Sequence, residues 1–167
     1  MPTTLTGGIR RVSATANKVR GSDPERASEH AAPPKVLSVS ADETDHLSLK
    51  HLLAGIPCHV VASDTCDAAL QKLSLGDISV VVCDAKLPDG TWLDILDWIR
   101  DSSKSPPLIV TSRLADEYLW AEVLNLGGFD VIAKPFSAPE ALHVLEMAFL
   151  SRQEMLGTNR PLAVAAQ

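Results

Sequence analysis

Ser79-Val80-Val81-Val82-Cys83-Asp84-Ala85-Lys86-Leu87-Pro88-Asp89-Gly90 is the stretch on which the reading of this chain turns. A short apolar run that ends at an acidic residue and a Pro-Asp-Gly turn has the length and composition of a strand covered on both faces. Similar runs occur at residues 36–40, 58–62, 108–111 and 129–133, so strands are expected there and at 79–83. Between them the apolar residues fall at helical spacing. Leu49, Leu52, Leu53 and Ile56 follow i, i+3, i+4, i+7 after Asp42, a residue suited to cap a helix. Ser63 or Asp64 is placed to cap a second helix carrying Ala69, Leu70 and Leu73, and a third carries Leu93, Leu96 and Ile99. A fourth is expected from about residue 115 to the Gly127-Gly128 pair, and a fifth from about 138 to 152. This alternation predicts an α/β fold, a doubly wound five-stranded parallel sheet with helices on both faces.

The flanking sequence differs in texture. Residues 1–34 are rich in Ser, Thr, Gly, Ala and charge, contain no aromatic residue and show no sustained apolar period, which predicts a disordered N-terminal extension. Arg10, Arg11, Lys18 and Arg20 precede the first acid, Asp23, without the apolar segment of a secretory signal. One domain is therefore expected over residues 35–152, followed by a flexible C-terminal tail over 153–167. The 167 residues, 46% of them hydrophobic, suffice for one substantial core. A formal net charge of −6 with no basic stripe argues against a nucleic-acid partner. No apolar run approaches the roughly 18 residues of a membrane span, so a cytoplasmic protein without membrane contact is expected. Cys58, Cys66 and Cys83 have neither CxxC nor zinc-site spacing and read as reduced thiols.

A doubly wound sheet performs its chemistry beyond the carboxyl ends of its strands. The residues delivered there are Ser40, Ala41 and Asp42 after the first strand, Asp84 after the third, Ser112 after the fourth, and Lys134 and Pro135 after the fifth. An Asp, a hydroxyl and a Lys brought to one rim suit the formation of an acyl phosphate. Asp84 would attack phosphorus while Lys134 and Ser112 contact the phosphoryl oxygens. Taken singly, the Asp and the Ser read equally well as caps and the Lys as a solvated side chain.

In this order the residues resemble the response-regulator receiver family over about residues 35–152. The segment from Val80 to Gly90 looks like that family's phosphoacceptor strand and following turn. The run Pro107-Leu108-Ile109-Val110-Thr111-Ser112 is similar to its hydroxyl-ending strand, and Gly127-Gly128-Phe129-Asp130-Val131-Ile132-Ala133-Lys134-Pro135-Phe136 to its Lys-Pro-Phe segment. The resemblance implies a flavodoxin-like strand order 2-1-3-4-5, Asp84 as phosphoacceptor, Ser112 and Lys134 as phosphoryl-binding residues and a cis Lys134-Pro135 bond. It also implies phosphorelay (two-component) signalling rather than enzymatic activity, with a histidine kinase or phosphotransfer protein as donor. With only a short tail after residue 152, a stand-alone module acting on a separate output protein is expected. The family's signalling face, made by the fourth helix, fifth strand and fifth helix, implies a protein contact there, a homodimer being one form of it.

The sequence departs from the family in ways that leave alternatives open. The family places two acids after the first strand to hold Mg²⁺ together with the phosphoacceptor; here those positions are Ser40 and Ala41, which degrades the site for this ion. Asp42 either swings inward as a metal ligand beside Asp84 and the Lys86 backbone carbonyl, or caps the first helix. The Lys86 ammonium either folds in as an internal cation or points to water. Val131 stands where the family's aromatic switch is expected, and Trp92 either lids the site or packs on the third helix. The fourth helix carries two apolar stripes, one with Trp120, Ala121 and Leu124 and one with Leu119, Val123 and Leu126. One of them is expected to be free, and Leu119, Val123 and Val131 are the candidate interface residues. These departures support a second reading, a phosphorylation-independent pseudo-receiver acting as a protein-binding or dimerisation module. An Asp-nucleophile phosphatase is disfavoured because Lys86 stands where its second Asp is expected, and a flavin or nucleotide enzyme because no phosphate-binding glycine loop follows the first strand.

Overall fold

The computed structural model describes residues 32–103 and 105–158. The extension expected over 1–34 and the tail expected over 153–167 therefore lie outside the described residues, apart from 32–34 and 153–158. The strands are β1 (Lys35–Val39), β2 (His59–Ser63), β3 (Ile78–Asp84), β4 (Lys86–Leu87), β5 (Gly90–Thr91), β6 (Leu108–Ser112) and β7 (Asp130–Ala133). The helices are α1 (Glu43–Leu52), α2 (Cys66–Ser74), α3 (Trp92–Arg100), α4 (Glu117–Leu126) and α5 (Ala138–Leu156). Five strands form a parallel sheet in the order β2-β1-β3-β6-β7, while β4 and β5 make a two-stranded hairpin in the turn after β3. With that hairpin set aside, the order is the 2-1-3-4-5 expected for a flavodoxin-like sheet.

The pleat explains why the strands read as unbroken apolar runs. Leu37 and Val39 of β1, Val81 and Cys83 of β3, Leu108 and Val110 of β6 and Val131 of β7 pack with α2, α3 and Val123 of α4. Their neighbours Val36, Val80, Val82, Ile109 and Ile132 pack on the opposite side with α1 and α5. Successive residues point to opposite faces, and helices cover both, so neither face needs polar residues.

The first four helices start where a side chain satisfies free N–H groups, whereas α5 follows Ser137 without a side-chain cap and has Pro139 in its first turn. Asp42 caps α1 by accepting from Thr44 N. Thr65, rather than the expected Ser63 or Asp64, caps α2 through Ala68 N; Ser63 is the last residue of β2. The same helix end is also held from the turn after β3, where Asp89 accepts from Cys66 N at 2.7 Å and Asp67 N at 3.0 Å. These bonds hold the Asp89 carboxyl below its usual pKa. Thr91 and Asp94 form a reciprocal capping box on α3. Trp92, at the start of α3, is buried in the core on that side of the sheet instead of covering the site. Asp116 caps α4, which starts at Glu117 and ends at Gly127 in the left-handed conformation. The fifth helix continues past the expected end at Arg152 to Leu156. Arg152 turns inward, with its Nη1 donating to Ser105 O at 2.8 Å, and so packs as part of the helix.

Gly128 follows the α4 cap because there is no room for a side chain. A Cβ there would lie 2.4 Å from Val123 Cγ1 and 3.0 Å from the Val123 carbonyl oxygen. Gly128→Ala should therefore cost about 1–3 kcal/mol through overpacking. Urea unfolding should show this as a lower midpoint at unchanged slope.

Candidate functional site

The pleat decides which residues meet beyond the strand ends. Asp84 shares its parity with Val80 and Val82 and so lies on the α1 and α5 side of the sheet. Its partner in register on β6 is Thr111. Thr111 Oγ1 donates to Asp84 Oδ1 at 2.6 Å, and Lys134, directly after β7, places its Nζ 2.7 Å from the same oxygen. Ser40, directly after β1, places its Oγ 2.8 Å from Asp84 Oδ2. A fifth residue comes from the first turn of α1: Asp45 Oδ2 lies 2.6 Å from Lys134 Nζ and 2.8 Å from Ser40 Oγ.

The centre is thus an ammonium held by two carboxylates, with a hydroxyl whose one proton serves either carboxylate. The side chains of Lys134, Asp45 and Asp84 are 9%, 13% and 14% exposed. Burial works against the Lys134 charge, but its bonds to Asp45 and Asp84 outweigh that and hold its pKa above the ordinary lysine value. Next to Asp45, His46 is buried and its Nδ1 lies 2.8 Å from Ser38 Oγ, which seats α1 on β1. The Lys134-Pro135 bond is cis, as the resemblance implied.

Asp84 opens on a cleft of about 400 Å³, lined also by Lys86, Thr111, Ser112, Arg113 and Lys134. Several expected roles move to other residues. Ser112 lines the cleft, but its Oγ accepts from Leu114 N; one step along β6 from Thr111, it is on the other face of the pleat. The β6 hydroxyl bonded to Asp84 is that of Thr111. Asp42 does not reach Asp84; it caps α1 and forms a 3.4 Å ion pair with Arg113. Lys86 is exposed, with no ion pair to Asp84, and the internal cation is Lys134.

The candidate interface residues are also displaced. Val123 and Val131 are buried, and Leu119 packs against the same core and lines the cleft. The outward stripe of α4 is the one with Trp120 and Leu124, flanked by Tyr118. Trp120 Nε1 donates to Asp130 Oδ1 at 3.1 Å.

The donor set departs from the one that the implied Mg²⁺ would need. Ser40 and Ala41 replace the paired acids, Asp42 is committed to its cap, and the second carboxylate near Asp84 is already bonded to Lys134. No group of three or more His, Cys, Asp or Glu residues able to hold a metal ion occurs among the described residues. The family's metal-ligand pattern is not met.

A carboxylate on the third strand of a doubly wound sheet, bonded to a threonine from the next strand and a lysine from the last, defines a receiver-type site. Residues 35–146 match the model of the response regulator receiver domain. The chain belongs to this family, whose domains serve two-component signalling. The Response regulator SaeR of Staphylococcus epidermidis is 28% identical over 104 residues, covering 62% of this chain and 45% of its own length. This chain thus spans less than half of that relative. The signal receiver domain of an HD domain-containing protein from Pseudomonas fluorescens Pf-5 superposes with a TM-score of 0.68 at 22% identity, over 76% of this chain and 94% of its own. A beryllofluoride-activated NtrC4 receiver domain, a dimer, gives a TM-score of 0.65 at 25% identity, over 71% of this chain and 98% of its own. No helix among the described residues is long and apolar enough to cross a membrane.

Removing the central ammonium tests these electrostatics. In Lys134→Met, Asp45 and Asp84 lose their shared cation, which should cost about 3 kcal/mol at neutral pH, the lower end for a buried pair broken on one side. Urea unfolding of the variant beside the wild type checks this.

Proposed function

We propose that Asp84 accepts a phosphoryl group from a histidine kinase or phosphotransfer protein, and that the altered domain acts on a separate output protein. The observation carrying this reading is the Asp84 carboxylate at the floor of an open cleft, bonded through one oxygen to Thr111 and Lys134. Those two donors would pass from the carboxylate to the incoming phosphoryl oxygens. They are positioned beforehand, so little reorganisation is needed as charge moves onto the phosphoryl group. Ser112 has its hydroxyl engaged by Leu114 N and is assigned a supporting part at the cleft wall.

The output contact is assigned to the side of the domain made by α4, β7 and α5. Tyr118, Trp120 and Leu124 of α4 are exposed there. A groove along β7 and α5 is lined by Trp120, Asp130, Val131, Glu140 and Val144. Exposed aromatic and apolar residues beside a groove suit a protein partner, and a second copy of the chain is one such partner. On this assignment Trp120→Glu weakens any self-association measured by sedimentation.

The second reading, a pseudo-receiver that works without phosphorylation, draws its support from the Asp45–Lys134 pair and from Ser40 and Ala41 at the acid positions. Intact-protein mass spectrometry after incubation with phosphoramidate separates the two. Under the proposed function the wild type gains one phosphoryl group and Asp84→Ala gains none. Thr111→Val should label about tenfold more slowly, the loss of one hydrogen bond to a charged group, whereas Ser112→Ala should stay near the wild type. An unlabelled wild type would leave the pseudo-receiver as the function.

A further inference from the structure

We infer that this site forms its acyl phosphate without a divalent cation, with Lys134, Lys86 and Arg113 supplying the positive charge. The inference rests on the phosphoacceptor role proposed for Asp84. Receiver chemistry ordinarily needs a metal because carboxylates crowd the acceptor and the arriving phosphoryl group adds more negative charge. Here the crowding is lower and is already balanced in part. The two carboxylates at the centre, Asp45 and Asp84, share one ammonium and one hydroxyl. A divalent ion on the same carboxylates would have to displace Lys134 or share them with it.

The charge count follows from the chemistry. One oxygen of ionised Asp84 forms a bond to phosphorus as the P–N bond of phosphoramidate breaks, and the nitrogen, already protonated as ⁺H₃N–PO₃²⁻, leaves as ammonia with that electron pair. The Asp84 carboxylate charge disappears and a phosphoryl dianion takes its place, so the centre becomes more negative by one. Two further cations line the same cleft. Lys86 is exposed and makes no ion pair within the described residues. Arg113, 74% exposed, is tied among the described residues only by the 3.4 Å contact to Asp42. Both are placed to turn onto the phosphoryl oxygens, where the planar fork of Arg113 can bond two of them at once.

The test is the rate of phosphoramidate labelling, followed by intact mass, in EDTA and in MgCl₂. For the wild type the two rates should agree within about twofold, well inside the tenfold that one charge-assisted hydrogen bond is worth. The double variant Lys86→Ala/Arg113→Ala should label about tenfold or more slowly in EDTA. Calorimetric titration of the wild type with MgCl₂ should give no saturable heat at millimolar concentration. Labelling that requires MgCl₂ overturns the inference and leaves the phosphoacceptor role intact. Saturable Mg²⁺ binding, or a double variant as fast as the wild type in EDTA, also overturns it. A wild type unlabelled in both conditions overturns the phosphoacceptor role, and the inference with it.

Discussion

The ammonium of Lys134, seated between Asp45 and Asp84, is the interaction to which the rest of the site is fitted. It ties three distant parts of the chain together: the first turn of α1, the end of β3 and the segment after β7. Two carboxylates bonded to one ammonium would repel one another were the cation not between them. The lysine in turn keeps its charge at low exposure because both carboxylates bond to it. Charge balance, more than any single hydrogen bond, therefore sets the geometry around the Asp84 carboxylate.

Those three segments can meet because the sheet is covered on both sides. Its α1 and α5 face ends in Ser40, Asp84, Thr111 and Lys134, all in step with Val36, Val82, Ile109 and Ile132, the buried strand residues of that same face. The same alternation sends Ser112 to the opposite side, where it organises the start of the loop leading to α4. A one-residue difference in register thus separates a group that touches Asp84 from one that shapes the cleft wall.

The architecture was legible in the sequence because the apolar runs and helical periods are strong and evenly spaced. The placement of Asp84 and Lys134 at one rim and the cap at Asp42 could be read for the same reason, since each lies at or shortly after a strand end. Thr111 could not be told from Ser112, because helices cover both faces and the apolar residues carry no mark of which side each strand residue takes. Asp45 was hidden by its position inside a helix; its signal is the i, i+4 relation to Leu49, the most deeply buried leucine of α1, which turns both toward the sheet. The α4 stripes looked equivalent as lists of apolar residues. Packing against the core settled that Val123 lies beneath and Trp120 faces out, a distinction that only the neighbouring elements make.

The bonds from Asp89 to the start of α2 give the cleft two unlike walls. On the side of the β4–β5 hairpin, the backbone is stapled to a helix end and backed by the Thr91–Asp94 box of α3. On the other side, Arg113 and Leu114 stand in solvent, and the loop is held by short local bonds from Leu114 N to Ser112 Oγ and from Asp116 N to Leu114 O. On the proposal that Asp84 takes up a phosphoryl group, the added group would meet a braced wall on the hairpin side. On the side leading into the helix that bears Trp120, it would meet a wall held by bonds between near neighbours.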